Sequence, residues 1–151
     1  MEHTILLIQN DPEERARLLL AFGSAVPKAR VCAATDGTDA YAYLSGAGKY
    51  ADRIEYPLPQ VILLDIDAAK ESGFEIVRWL RGEAAHLGIP VIGITSGVDK
   101  SVIDRAYKMG ASSCVLKTKD RSILEEIATG IADYAALLKG HTHAPISGYA
   151  S

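Results

Sequence analysis

The chain has 151 residues, with 16 Lys and Arg against 19 Asp and Glu, a formal net charge of −3. Apolar residues make up 48% and charged residues 23%, so one domain can bury its own core without metal or disulfide support. The mildly acidic balance offers no attractive field to a phosphate backbone, which excludes a non-specific nucleic-acid binder. No apolar run approaches the roughly 20 residues that cross a bilayer. The start Met1-Glu2-His3-Thr4 carries no basic leader, and Cys32 and Cys114 lie in apolar contexts. These features lead to the expectation of a reduced, cytoplasmic domain with no membrane partner.

The first predicted element is a strand, Ile5–Gln9, followed by the helix start Asp11-Pro12-Glu13-Glu14. There Asp11 serves as cap, Pro12 takes the first helical position and Glu14 completes a capping box. Leu18, Leu19, Phe22 and Val26 then form one apolar stripe. Strand Arg30–Ala34 precedes a helix over Gly37–Leu44, and Gly46–Gln60 reads as a surface excursion rich in Gly and Pro. Strand Val61–Asp65 is apolar at every position up to its last residue, as expected where both sheet faces are covered. A helix over Gly73–Arg81, a strand Val91–Thr95 and a helix over Ser101–Met109 ending at Gly110 follow. Strand Cys114–Lys117 and a last helix with Ile123, Ile127, Ile131, Tyr134 and Leu138 on its apolar stripe complete the series. Five β–α units in succession imply an α/β domain with a doubly wound five-stranded parallel sheet over residues 1–138. Residues 139–151 read as a flexible tail.

In such sheets ligands bind beyond the carboxyl ends of the strands. Asp65 ends one apolar strand, Thr95 the next and Lys117 the last. A carboxylate nucleophile beside a hydroxyl and an ammonium suits a phosphorylatable aspartate, with the latter two holding phosphoryl oxygens. The turn Gln9-Asn10-Asp11-Pro12-Glu13-Glu14 has no glycine and several acids, which argues against a flavin or nucleotide phosphate there.

These residues resemble the receiver domain of two-component response regulators. The resemblance rests on Ile5-Leu6-Leu7-Ile8-Gln9-Asn10-Asp11-Pro12, Val61-Ile62-Leu63-Leu64-Asp65-Ile66-Asp67, Gly73-Phe74-Glu75, Ile89-Pro90-Val91-Ile92-Gly93-Ile94-Thr95-Ser96, Ala106-Tyr107-Lys108-Met109-Gly110-Ala111 and Val115-Leu116-Lys117. It covers about residues 4–138. The long segment through Gly48-Lys49-Tyr50 and Tyr56-Pro57-Leu58-Pro59 is similar to that of standalone regulators, including partners of bacterial phytochromes. The resemblance implies a flavodoxin-like (βα)5 fold with strand order 2-1-3-4-5. It implies Asp65 as phosphoacceptor, Thr95 and Lys117 as phosphoryl contacts, and the main-chain carbonyl of Asp67 as a Mg²⁺ ligand beside Asp65.

The departures from the family pattern carry as much weight. The two acidic positions that hold Mg²⁺ are Gln9 and Asn10 here, so negative charge is missing from a hard-cation site. Adjacent Asp11 is the available substitute, and weak or absent Mg²⁺ binding is expected. Cys114 stands at the switch position where the family has Tyr or Phe, which removes the ring from that relay. Thr118 replaces a proline after the lysine, so a trans bond is expected there. In the implied order Cys32 and Cys114 lie on opposite sheet edges, too far apart for a disulfide.

Three functions follow. The first is a single-domain regulator or pseudo-receiver, not an enzyme, that retains Asp65 and acts by protein–protein contact. The second is an ordinary phosphoreceiver using Asp11 or Asn10 at the metal. The third, remote, is a phosphatase of the haloacid-dehalogenase type, disfavoured because only Asp120 follows Lys117 as an acid near the site. The expected partners are proteins: a sensor histidine kinase, another signalling protein, or a second copy. The second copy would dock on the face of the fourth helix, fifth strand and fifth helix, where Asp104, Arg105 and Lys108 are candidates for charged contacts.

Overall fold

A computed structural model describes residues 3–139. It contains β1 (Thr4–Ile8), α1 (Pro12–Ala25), β2 (Arg30–Ala34), α2 (Gly37–Ser45), β3 (Val61–Asp65), α3 (Glu71–Arg81), β4 (Val91–Thr95), α4 (Lys100–Met109), β5 (Ser113–Leu116) and α5 (Arg121–Lys139). All sheet pairings are parallel and the order is β2-β1-β3-β4-β5, as expected. The first strand begins and ends one residue earlier than its pattern suggests, and so does the last. The expected tail lies outside the described residues from 140 onward.

Alternation along the central strands divides the core into two layers. Leu6, Ile8, Ile62 and Leu64 face Ala40, Tyr43, Phe74, Val77 and Ala106 of α2, α3 and α4. Ile5, Leu7, Val61 and Leu63 face Leu18 and Phe22 of α1 and Leu124, Ala128 and Ala135 of α5. Each fully buried Leu or Ile contributes roughly 1.5–3 kcal/mol, so these layers hold the strand ends in place.

The structure refines three local expectations. The capping box at α1 is half formed. Asp11 accepts from Glu13 N at 2.9 Å, but Glu14 pairs with Arg17, and the Asp11 N–H goes to Gln9 Oε1 at 3.1 Å. The buried face of α5 is Leu124, Ala128, Ile131, Ala132 and Ala135, while Ile123 and Tyr134 are exposed. Alanines let α5 lie close on α1 and the sheet, which puts the larger side chains at the flanks. The segment between α2 and β3, expected as a surface excursion, also carries packing of its own. Tyr50 is buried and its ring meets those of Tyr43 and Tyr56, each at 5.0 Å between centroids. Arg53 donates to the carbonyls of Tyr43 and Leu44, both at 2.7 Å, satisfying the open end of α2.

Candidate functional site

The three central strands deliver their last residues to one rim. Asp65 closes β3 with its side chain 4% exposed, and Thr95 closes β4. Gln9 follows β1 directly and is 1% exposed. Lys117 follows β5 and reaches Asp65 Oδ2 with Nζ at 2.9 Å. The expected trio of Asp65, Thr95 and Lys117 is therefore brought together.

Asp65 is bonded on both oxygens. Its Oδ1 accepts the main-chain N–H groups of Asp67 at 3.1 Å and Ala68 at 3.3 Å. Its Oδ2 accepts from Lys117 and from Gln9 Nε2, the latter at 2.8 Å. The orientation of the Gln9 amide follows from its neighbours. Oδ2 of Asp65 demands a donor on one side, and the Asp11 N–H demands an acceptor on the other. The Gln9 carbonyl is held in turn by Arg15 at 2.9 Å. Asn10 lies exposed at the mouth of an open cleft that also contains Asp36, Asp65 and Lys70. Asp11 turns its carboxylate onto the start of α1.

Beyond the role expected of its main-chain carbonyl, Asp67 has a side-chain role that the sequence did not suggest. The Asp67 carboxylate accepts from Thr95 Oγ1 at 2.7 Å and from Ser96 N at 2.8 Å, and Lys117 Nζ lies 3.2 Å away. Burial pulls the Asp67 carboxyl upward, but the bonds from Thr95, Ser96 and Lys117 win and hold it below the usual carboxylate range. Burial likewise opposes the charge on Lys117, yet the Asp65 and Asp67 carboxylates keep its ammonium above the ordinary lysine value. The chain turns directly after Asp65, whose Oδ1 holds the N–H groups of Asp67 and Ala68, and this turn swings the Asp67 side chain toward Thr95. Thr95 Oγ1 also accepts from Gly97 N at 3.0 Å, which fixes its hydrogen toward Asp67.

Cys114 is partly buried beside Gly93 and packs against the layer of α2, α3 and α4. Burial pushes its thiol upward, while bonds with Tyr107 and Gly93 pull the other way. Cys32 and Cys114 are both free and sit on the two edge strands. The bond between Lys117 and Thr118 is trans. On the expected dimer face one assignment changes. Arg105 turns toward α3, donating to Glu71 at 2.6 Å and stacking on Phe74 at 4.2 Å, so its charge is engaged within the chain.

The family model described as the response regulator receiver domain matches residues 5–129. Response regulator Rcp1 of Synechocystis sp. is 25% identical over 99 residues, which span 66% of this chain and 65% of Rcp1. The Mn²⁺-bound form of Rcp1 superposes with a TM-score of 0.68 at 21% identity, covering 87% of this chain and 93% of that one. The phosphorylated cyanobacterial phytochrome response regulator RcpA gives a TM-score of 0.74 at 24% identity, covering 90% and 95%. The bacteriophytochrome response regulator AtBRR gives 0.67 at 29% identity, covering 88% and 94%.

Proposed function

The chain belongs to the response regulator receiver domain family of two-component signalling, and within it we propose a pseudo-receiver: a non-enzymatic domain that keeps Asp65 as acceptor but binds Mg²⁺ weakly or not at all. The observation that carries this reading is the 2.8 Å bond from Gln9 Nε2 to Asp65 Oδ2. A hard cation needs anionic oxygen at that point, and a neutral amide presents a donor there instead. The oxygen of the same amide is already committed to Asp11 N–H. These residues do not fit the metal as an acidic pair would. Asp11 is a poor substitute, because turning it inward would uncap α1 at about 1 kcal/mol.

Phosphorylation from a small donor would form a bond from Asp65 to phosphorus and break the donor's own oxygen–phosphorus bond. Without a cation, charge on the transferring group is met only by Lys117, Thr95 and backbone N–H groups, and the step is slow. Signalling then rests on contact with proteins. A sensor histidine kinase of the phytochrome type is the proposed partner, in keeping with the phytochrome regulators among the similar structures. A second copy is the other, meeting the edge face of α4, β5 and α5. Asp104 and Lys108 remain candidates there, joined by exposed Leu116 and Ile123. The charge balance continues to argue against nucleic acid, and no described helix is long and apolar enough to cross a membrane.

The test is a Mg²⁺ titration followed by amide NMR. The expected result is no saturable shift at Gln9, Asp65 or Asp67 up to millimolar metal. Saturation at micromolar metal, localised to those amides, would overturn the reading.

A further inference from the structure

Three donors of different chemistry converge on the Asp67 carboxylate: the Thr95 hydroxyl, the Ser96 main-chain N–H and the Lys117 ammonium. A hydroxyl, an amide and a cation fixed at successive strand ends form a built oxyanion site. All three belong to the rim that carries Asp65, and Lys117 is shared between the two carboxylates. Thr95 and Lys117 are the phosphoryl contacts that membership of the receiver family already implies, and we propose that Asp67 is the resident, built-in occupant of that oxyanion site.

The site is pre-filled in several respects. Asp67 Oδ1 takes the Thr95 hydroxyl, while Oδ2 takes the Ser96 amide and the lysine, so both oxygens are used. Thr95 is itself buried and held by Gly97 N, leaving its hydroxyl no free rotor for a second acceptor. A phosphoryl group on Asp65 would meet donors already engaged by an internal anion. The unmodified domain thus holds Thr95, Ser96 and Lys117 in an anion-engaged arrangement, and an external oxyanion must displace Asp67 to be held there. The inference rests on reading Asp65 as the acceptor, but it concerns a different residue and makes no use of metal.

Asp67→Ala empties the site without touching Thr95, Ser96 or Lys117. The experiment titrates sodium sulfate into wild type and variant at constant ionic strength, with neither metal nor phosphodonor, and follows the Ser96 and Gly97 amides. The expected result is a saturable shift in Asp67→Ala and none in wild type at the same concentrations. An equal response in wild type, or no response in a variant whose amide spectrum is otherwise native, would overturn the proposal. Asp67→Asn, which keeps the side-chain shape, provides the same comparison if the alanine variant does not fold. It is expected to bind sulfate more weakly than alanine but more than wild type. Because sulfate binding is read without Mg²⁺, its failure is distinct from failure of the pseudo-receiver reading, which shows itself only as metal binding or metal-dependent phosphorylation.

Discussion

The four oxygens of Asp65 and Asp67 are divided among their donors, with Lys117 as the cation common to both. Gln9 fits this division because a carboxamide can donate to one neighbour and accept from the other. A glutamate there would place a second negative charge against a buried carboxylate, tolerable only with a cation between them. The double substitution Gln9→Glu with Asn10→Asp is therefore expected to create a Mg²⁺ site, raising affinity at least tenfold in the same NMR titration. Asp67 gives a pH prediction. Its folded-state pKa is held below the usual carboxylate range, so its contribution to stability is present above the unfolded value of about 4 and is lost as pH falls through the folded value. Asp67→Asn should flatten the acid side of the stability curve measured by denaturant midpoints. Asp65, Thr95 and Lys117 were legible because each ends an apolar run. The work of the Asp67 side chain was not, since a hydrogen-bond partner on another strand leaves no mark on local sequence.

At the scale of elements, strands were legible because three of the five are buried on both faces and end at or just before Gln9, Asp65 or Thr95. The last helix buries Ile131 and packs Ile127 and Leu138 on the core as expected, but its small residues carry more of the contact than its pattern of large ones suggests. Its Ala128, Ala132 and Ala135 are buried, while Ile123 is 47% exposed. The connection from α2 to β3 runs over the surface as its Gly and Pro suggest, but they give no sign of its internal packing. Its order comes from Tyr43, Tyr50, Tyr56 and Arg53, which meet only in three dimensions. Tyr43 donates to the Pro57 carbonyl at 2.7 Å and Tyr50 to Asp39 at 2.7 Å, and burial drives both phenols well above the ordinary tyrosine value. Arg53→Ala leaves the α2 carbonyls without their donor and should destabilise the domain by about 1–3 kcal/mol, measured by urea unfolding. Loss of less than a few tenths would mean that water replaces the guanidinium without cost.

For the whole molecule, the unequal treatment of the sheet edges matters most. β2 is tied to the segment between α2 and β3, because its own Arg30 donates to the carbonyls of Ile54 and Glu55. β5 is the opposite edge, and Leu116 at its end is 63% exposed. An open edge with neighbouring apolar side chains favours pairing with another surface. Self-association through α4, β5 and α5 should therefore be concentration-dependent in sedimentation velocity, and Leu116→Asp should shift it to monomer by at least tenfold in dissociation constant. An unchanged profile would place the contact elsewhere.

In the proposed pseudo-receiver Asp65 retains the acceptor position while Gln9 and Asn10 withhold the metal that would make it reactive. Incubation with acetyl phosphate, with and without Mg²⁺, followed by intact-mass spectrometry tests this directly. Little phosphoryl adduct is expected in either condition, with no acceleration by Mg²⁺. Rapid, stoichiometric, Mg²⁺-dependent phosphorylation that disappears in Asp65→Asn would contradict this proposal.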